Sequence, residues 1–482
     1  MYGTTRNLVF VVLVAAVFAG CVVNPATGRR ELSLVSESQE IQIGQENDKA
    51  IVAEMGLYPD EALQQYVAGV GTGMAALSER PDLPWTFRVV DDPVVNAFAL
   101  PGGFIYITRG ILAHFNSEAE MASVLGHEIG HVTARHSAQQ VTKAQFAQLG
   151  LLGGAVLAPE AAQQYGGMAQ QAMGVLFLKF SRDDERQADD LGLRYLVRDG
   201  YDPRPMPEVF KTLERVSDAA GGQRAPSWLA THPAPENRAG RIAEQIGGLG
   251  GDYASAVVRR DVYLQKIDGM TFGDDPRQGY FRDSLFVHPE MAFRIDFPAG
   301  WNLKNARQAV VGVSPANDAA VQLTLSQETT AQAALQAFLS SGSAQAAGSW
   351  SPGLRGLTSA GTGFTVATEQ GAYRGLAAFV EHGGRVFRLL AYSTGDQFAS
   401  YEPAVGRSIE SFGSVTDRAL LDVAPKRVEI VRAPSAMTAD ELARRFDATV
   451  AADELLRLNG MDPGERFAAG GSYKVVVGGV VP

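Results

Sequence analysis

Apolar residues recur along this chain with two different periods, and the change of period divides it. From Ser36 to Gly56 they fall at helical spacing, with a serine placed to cap the start and a glycine to end it. "DEALQQYVAGVGTGMAALS" predicts a second helix. "WTFRVVDD" and "GFIYITRG" are rich in aromatic and β-branched residues and predict strands. "NAFALPGG" between them reads as a loop. The next helix starts at Ser117, where Glu120 predicts a capping box. Another runs from Ser181 to about Arg198, followed by the turn-rich "RDGYDPRPMP" and a further helix. "THPAPENRAGRI" runs from a loop into a helix near Glu236. The wholly apolar "LGLLGGAVLA" (149–158) is too short to cross a membrane. It reads as a core helix or, because its paired glycines permit movement, as a flap. Past about residue 280 the period becomes two. "FRIDFPAGW", "VQLTLS", "FTVAT" and "LAAFVEHGGRVFRLLAYS" predict short strands around one helix, "AQAALQAFLSS". The last stretch, 426–478, reads strand, helix, helix, strand.

The N-terminus departs from both periods. Arg6 precedes an unbroken apolar run from Leu8 to Ala19, which is too short for a bilayer core but suits a signal peptide. The run ends in "FAGC", and Cys21 is the only cysteine of the chain. This resembles a bacterial lipobox, with Phe18 where leucine is usual; the alternatives are an ordinary secretory signal or a buried N-terminal helix. A lipobox implies cleavage before Cys21, its acylation, and a tether over 21–36. Val22, in place of the aspartate that retains lipoproteins at the inner membrane, implies the outer membrane.

Composition narrows the classes. The 482 residues suggest about three domains, and 46% apolar with 20% charged residues predicts packed cores. A net charge of −11 argues against nucleic acid as a partner. The domains expected are a signal segment (1–20), the tether (21–36), a catalytic domain (37–260), an α+β domain of unassigned role (281–415) and the small C-terminal module (426–478).

The chemistry concentrates in "LGHEIGHVTARH". Helical residues four apart are about 40° apart around the axis, so His127 and His131 project side by side. Two such imidazoles can chelate a divalent metal. Glu128 is offset from their face and suits a general base. Met121, Leu125, Ile129 and Val132 form an apolar stripe, predicting a helix packed by one face with imidazoles on the other. Gly126 and Gly130 each cost the helix about 1 kcal/mol relative to alanine, which suggests that backbone room matters there. A catalytic zinc needs a third protein ligand. "SRDDERQADDLG" offers Glu185 and Asp189 on one helical face: one to complete the site, the other to accept a ligand imidazole's N–H. Outside this setting the same pair would read as a solvated acidic face. His288 and His382 stand alone and read as structural or solvated.

Four motifs, "NAFALPGGFIYITRGIL", "SEAEMASVLGHEIGHVTARH", "FSRDDERQADDLG" and "THPAPENR", resemble the zinc metallopeptidases that include HtpX, BepA, LoiP and the CAAX prenyl endopeptidase. The likeness covers about residues 37–245 and points to the periplasmic lipoprotein branch. It implies one zinc ion held by His127, His131 and Glu185, with Glu128 as catalytic base and Asp189 behind the ligands. His232 would approach the metal from a later loop, as a latch at the fourth position or as an oxyanion donor. An active-site edge strand, from Phe104 through Ile105, Tyr106 and Ile107, with Asn96 nearby, would bind substrate as an added strand. The C-terminal module resembles LysM, a peptidoglycan-binding fold, through Leu442, Ala443, Phe446, Leu455, Leu456, Asn459 and Gly460; "SAMT" replaces its usual Gly-Asp-Thr.

The expected fold is therefore α+β: a mainly helical zincin-type domain with a small edge-strand sheet, a small α+β domain, and a βααβ module. The expected function is a zinc metalloendopeptidase on the periplasmic face of the outer membrane. It would cleave unfolded or misassembled envelope proteins, anchored through acylated Cys21 and in contact with peptidoglycan through 426–478. A peptidoglycan endopeptidase or amidase, and an assembly chaperone with weak protease activity, are the alternatives.

Overall fold

The computed structural model describes residues 21–143, 180–219, 228–233, 237–342, 344–354, 356–368 and 371–481; segments 1–20 and 149–158 lie outside these. Among the described residues no helix is long and apolar enough to cross a membrane. The chain forms two compact units, one of residues up to Gly273 with Arg427–Val477, the other of Asp274–Lys426 with the last five residues.

In the first unit, helix α1 (Glu37–Met55) carries the expected Ser36 cap, made reciprocal by Gln39, and is closed by Gly56 at φ 71°. Helix α2 (Glu61–Ala76) is capped by Asp60. A three-stranded sheet follows, of β1 (Thr86–Val90), β2 (Ala97–Leu100) and β3 (Phe104–Thr108). Its order corrects two expectations. "AFAL" forms β2 rather than a loop. Phe104–Thr108 is the central strand, parallel to β1 and antiparallel to β2, not an edge. Its backbone is already paired on both sides, and Phe104, Ile105, Tyr106 and Ile107 are buried.

Helix α3 (Glu118–Thr133) carries both motif histidines. Ser117 caps it by accepting from the Glu120 N–H. The Glu120 carboxylate, however, accepts from the Asn116 N–H, so the box is only half formed. Every residue of α3 except Glu120 is buried. The helix is thus packed all round, not by one face as its apolar stripe predicts.

Helix α4 (Arg182–Arg198), capped by Ser181 with Asp184, lies against α3. The glycines explain the approach. A Cβ on Gly130 would lie 2.8 Å from the Ala188 carbonyl oxygen, and one on Gly192 2.9 Å from the His127 nitrogen. The helices meet backbone to backbone, which brings short acidic side chains of α4 within reach of imidazoles on α3. Helices α5 (Pro205–Ala219) and α6 (Arg238–Gly248), with a single turn at Trp228–Thr231, complete this layer.

The C-terminal strand–helix–helix–strand spans Ala424–Arg432, Ala439–Arg445, Ala452–Leu458 and Ser472–Val480. Residues 427–477 belong to the first unit. Val428, Leu458 and Val476 join its main core, and the buried Lys474 Nζ donates to the carbonyls of Ala113 and Phe115 at 2.8 and 2.6 Å.

The second unit is built on a seven-stranded antiparallel sheet. Its order is Asn302–Ala306, Ala309–Val313, Ala319–Leu325, Arg385–Thr394, Gly371–His382, Ser359–Thr368, Gln345–Ala346. Gly383 and Gly384, at φ 57° and 73°, make the tight turn between its two long strands. Helix Ala331–Ser340 packs with Ala377 and Phe379, and helix Phe398–Glu410 with Leu376, Ala378 and Val380. Alternate residues of one strand thus serve opposite faces. His288 and His382 both bond the Met291 backbone, a structural use.

Candidate metal centre

Helices α3 and α4 and the turn after Trp228 deliver four side chains to one point. His127, His131, Glu185 and His232 each offer a ligand atom, and these atoms all lie within 4.8 Å of one another. All four residues are buried. His127 Nε2 is 3.0 Å from His131 Nε2 and 3.3 Å from His232 Nδ1. Glu185 Oε1 is 3.0 Å from His232 Nδ1, and its carboxylate is 3.4 Å from each of the other two imidazoles. Ligands bound at about 2.0–2.1 Å to a tetrahedral zinc lie about 3.3 Å from one another. The donor set therefore fits four-coordinate zinc in type, and the pairs at 3.0–3.4 Å fit it in spacing.

Electrostatics agree with the geometry. Burial alone would push the Glu185 carboxyl up, but the imidazoles of His232, His127 and His131 outweigh it and hold it well below the usual carboxylate range. Burial and Arg238 press His127 down, yet Asp189 and Glu185 prevail and push it up to about 9. Burial holds His131 well below its ordinary value. Buried carboxylates around converging imidazoles favour a cation in their midst.

A second layer holds the first. Asp189 Oδ1 lies 2.9 Å from His127 Nδ1, the contact the helical spacing of Glu185 and Asp189 anticipates. Asp189 is itself gripped by Arg238, and Arg241 reaches its other oxygen at 2.9 Å. Arg238 lies over the Phe210 ring at 4.0 Å, and Trp228 stacks on His232 at 4.9 Å. Phe180 covers His131 at 4.1 Å between ring centroids.

Glu128 stands outside the ligand set. Its Oε1 accepts from Trp228 Nε1 at 3.3 Å and lies 3.5 Å from His232 Nε2. Its Oε2 is buried without a hydrogen-bond partner among the described residues. Asn96 lies at the start of β2, its N–H on the Thr108 hydroxyl and its carbonyl accepting from the Thr108 N–H. Cys21 lies in the short strand Cys21–Val23. Sequence reasoning overlooked Arg238, Trp228, Phe180 and Gly192. Arg238 ends the motif "THPAPENR", and Phe180 and Gly192 begin and end "FSRDDERQADDLG"; Trp228 lies outside every motif.

Residues 61–246 match the model of Peptidase family M48. The mitochondrial metalloendopeptidase OMA1 of Arabidopsis thaliana is 40% identical over 173 residues, 35% of this chain and 33% of its own. The beta-barrel assembly-enhancing protease of Escherichia coli K12 is 32% identical over 223 residues, 44% of this chain and 45% of its own. OMA1 of Schizosaccharomyces pombe is 33% identical over 228 residues, 46% of this chain and 65% of its own. The chain thus spans between a third and just under two thirds of these relatives. Among solved structures, cyanobacterial PsbP from Synechocystis sp. PCC 6803 is similar at a TM-score of 0.24 and 14% identity, covering 28% of this chain and 95% of its own, too slight a likeness to carry an argument. The segment from residue 61 to 246, which carries the buried His/Glu centre, is thus similar to peptidase family M48.

Proposed function

We propose that the chain is a zinc metalloendopeptidase of the bacterial cell envelope, acting on unfolded or misassembled envelope proteins. The convergence of His127, His131, Glu185 and His232 at zinc-ligand spacing, with the Glu128 carboxylate beside it, carries this reading. Zinc, when bound, supplies Lewis-acid activation of water and of the scissile carbonyl. His127, His131 and Glu185 would hold it, and Asp189 fixes the His127 ring. Glu128 takes the proton of the attacking water and returns it to the leaving amine; its Oε2, without a partner among the described residues, is the acceptor for this step. Because β3 is central, an added substrate strand would pair with an edge of this sheet; β2 (Ala97–Leu100) is the candidate, since β1 also meets Leu57 and Tyr58 through Val90 and Val89. Backbone pairing of that kind favours extended, unfolded chains. The name of the E. coli relative points the same way.

The test is hydrolysis of unfolded casein by zinc-loaded protein, with purified sacculi in parallel. Casein cleavage that stops on chelation and returns with zinc supports the reading. Cleavage of sacculi alone would install the peptidoglycan alternative, which the LysM-like order of 426–478 favours. Rescue of a null strain by zinc-free protein would favour the chaperone.

His232 Nδ1 lies beside His127 Nε2 and Glu185 Oε1, where it would compete with water for the ion, and this favours the latch over the oxyanion donor. His232→Ala is expected to keep its zinc and to raise casein turnover several-fold. A fall in kcat of on the order of a hundredfold at full zinc would establish the oxyanion role instead.

Anchoring rests on Cys21. In Cys21→Ala the mature chain is expected in the soluble periplasmic fraction, or unprocessed; unchanged mass and unchanged membrane fractionation would exclude a lipid anchor.

A further inference from the structure

The two motif imidazoles are held in place by different chemistry. His127 Nδ1 meets a carboxylate, that of Asp189. His131 Nδ1 meets another imidazole, His136 Nδ1, at 2.9 Å. His136 is itself buried, and its Nε2 lies 2.9 Å from Gln187 Oε1 on α4.

The turn between them is built for this contact. Helix α3 ends at the Ala134 cap, and Arg135 follows at φ 61°, a left-handed conformation that side chains other than glycine seldom adopt. Its guanidinium is tied to Glu40 and to the Val35 carbonyl. Residues 136–143 then resume a helix, with the His136 ring 4.9 Å from that of His131, edge to face.

The proton positions along this chain follow from the ligand geometry. His131 Nε2 faces His127 Nε2 and Glu185, so its lone pair belongs to the metal. A neutral imidazole has one N–H, which must then sit on Nδ1. His136 Nδ1 must accept that proton in a hydrogen bond, which leaves its own N–H on Nε2. Gln187 Oε1 accepts there, and only there can an amide oxygen select this tautomer. The Asp184 carboxylate, 3.8 Å from the same nitrogen, favours the same N–H.

The neutrality of this acceptor has a reason. Glu128, Glu185 and Asp189 are three buried carboxylates. A zinc ion and the buried Arg238 supply three positive charges and balance them, while Arg241, which also reaches Asp189, is matched by Asp190. A fourth carboxylate behind His131 would leave an uncompensated buried charge, which is costly. An imidazole backed by an amide gives the acceptor without the charge.

We propose that His136, backed by Gln187, is the positioning residue that fixes the metal-binding tautomer and ring orientation of His131. The inference rests on the zinc reading above.

The experiment uses the full chain and reads two quantities: zinc affinity by competition with a chromophoric chelator, and the melting temperature of the metal-free protein. His136→Leu removes the acceptor and is expected to weaken zinc by about 10–100-fold, the usual cost of losing such a partner. His136→Asn places an amide oxygen near the position of Nδ1 and should restore affinity to within a few-fold of the parent. Gln187→Ala, at a half-buried helix position, should fall between them. The metal-free melting temperatures should stay close together, because the effect concerns the ligand and not the fold. Equal zinc affinity in His136→Leu and the parent would overturn the proposal, as would equal losses in the Leu and Asn variants. If His136→Leu does not fold, the Asn and Gln187 variants decide alone: affinity unchanged in Gln187→Ala, or lost in His136→Asn, overturns it. A parent protein that binds no zinc would overturn the zinc reading and this inference together, so the two failures are distinguishable.

Discussion

Glu128→Gln should bind zinc as the parent does and lose peptide hydrolysis by on the order of a thousandfold or more, within the span that general acid–base groups contribute. The substitution is close to isosteric. The amide oxygen can still accept from Trp228 Nε1, and no ligand atom is removed, because Glu128 is not among the four converging residues. An amide cannot take a proton from water at neutral pH. The loss should therefore fall on kcat, with zinc content and melting temperature little changed. Metal analysis alongside casein kinetics checks this. Retained turnover would mean that another group is the base. An empty metal site would mean that Glu128 supports the ligands rather than the chemistry.

What the sequence disclosed depended on how local each feature is. The ends of α1 and α4 were legible because Ser36 and Ser181 cap within one turn of the residues they serve. The pairing of His127 with His131 follows from helical spacing alone, as does that of Glu185 with Asp189. That these two helices meet is a tertiary fact, suggested by the need for a third zinc ligand and implied by the family likeness. The glycines were visible as a departure from helix propensity. Their purpose needed Gly192 and Ala188 on the facing helix. The sheet order was out of reach for a similar reason. "AFAL" is four apolar residues before a Pro-Gly-Gly turn, too short for periodicity to tell strand from loop. Without β2, Phe104–Thr108 reads as an edge. Lys474 is the clearest case of hidden context. In "SYKVVV" it reads as the exposed position of an alternating strand, yet it is buried on the carbonyls of Ala113 and Phe115. Burial pushes its pKa down to about 7, against the opposing Glu120 carboxylate. No pattern within 426–478 announces that partner, because the partner lies more than three hundred residues earlier.

Glu185→Ala should fail in the opposite manner to Glu128→Gln: it should lose zinc first and activity as a consequence. Glu185 supplies the anionic member of the donor set. Without it only neutral imidazoles remain, one of them, His232, from a later loop, so loss of the anionic donor is expected to weaken zinc. The carboxylate also does work without metal. It lies 3.0 Å from His232 Nδ1, 3.4 Å from two further imidazoles and 3.6 Å from Arg238 Nη1. Removing one partner of a buried charged cluster costs about 3–5 kcal/mol, because the remaining charge is left without compensation. Here Arg238 keeps Asp189, so the lower end of that range is expected. The sign with pH follows from the Glu185 carboxyl, which is held well below the usual range in the folded chain. A group depressed in this way stabilises the fold above its unfolded pKa, and that contribution disappears as pH falls through the folded value. In the metal-free proteins, the stability gap between parent and Glu185→Ala should therefore be full near neutrality and shrink on acidification. Zinc stoichiometry after dialysis and denaturant melts at several pH values measure both parts. Full zinc retention in Glu185→Ala would place the third protein ligand elsewhere. A stability gap that grew as the pH fell would mean that this carboxyl is held above its ordinary value, with burial prevailing over its imidazole and guanidinium neighbours.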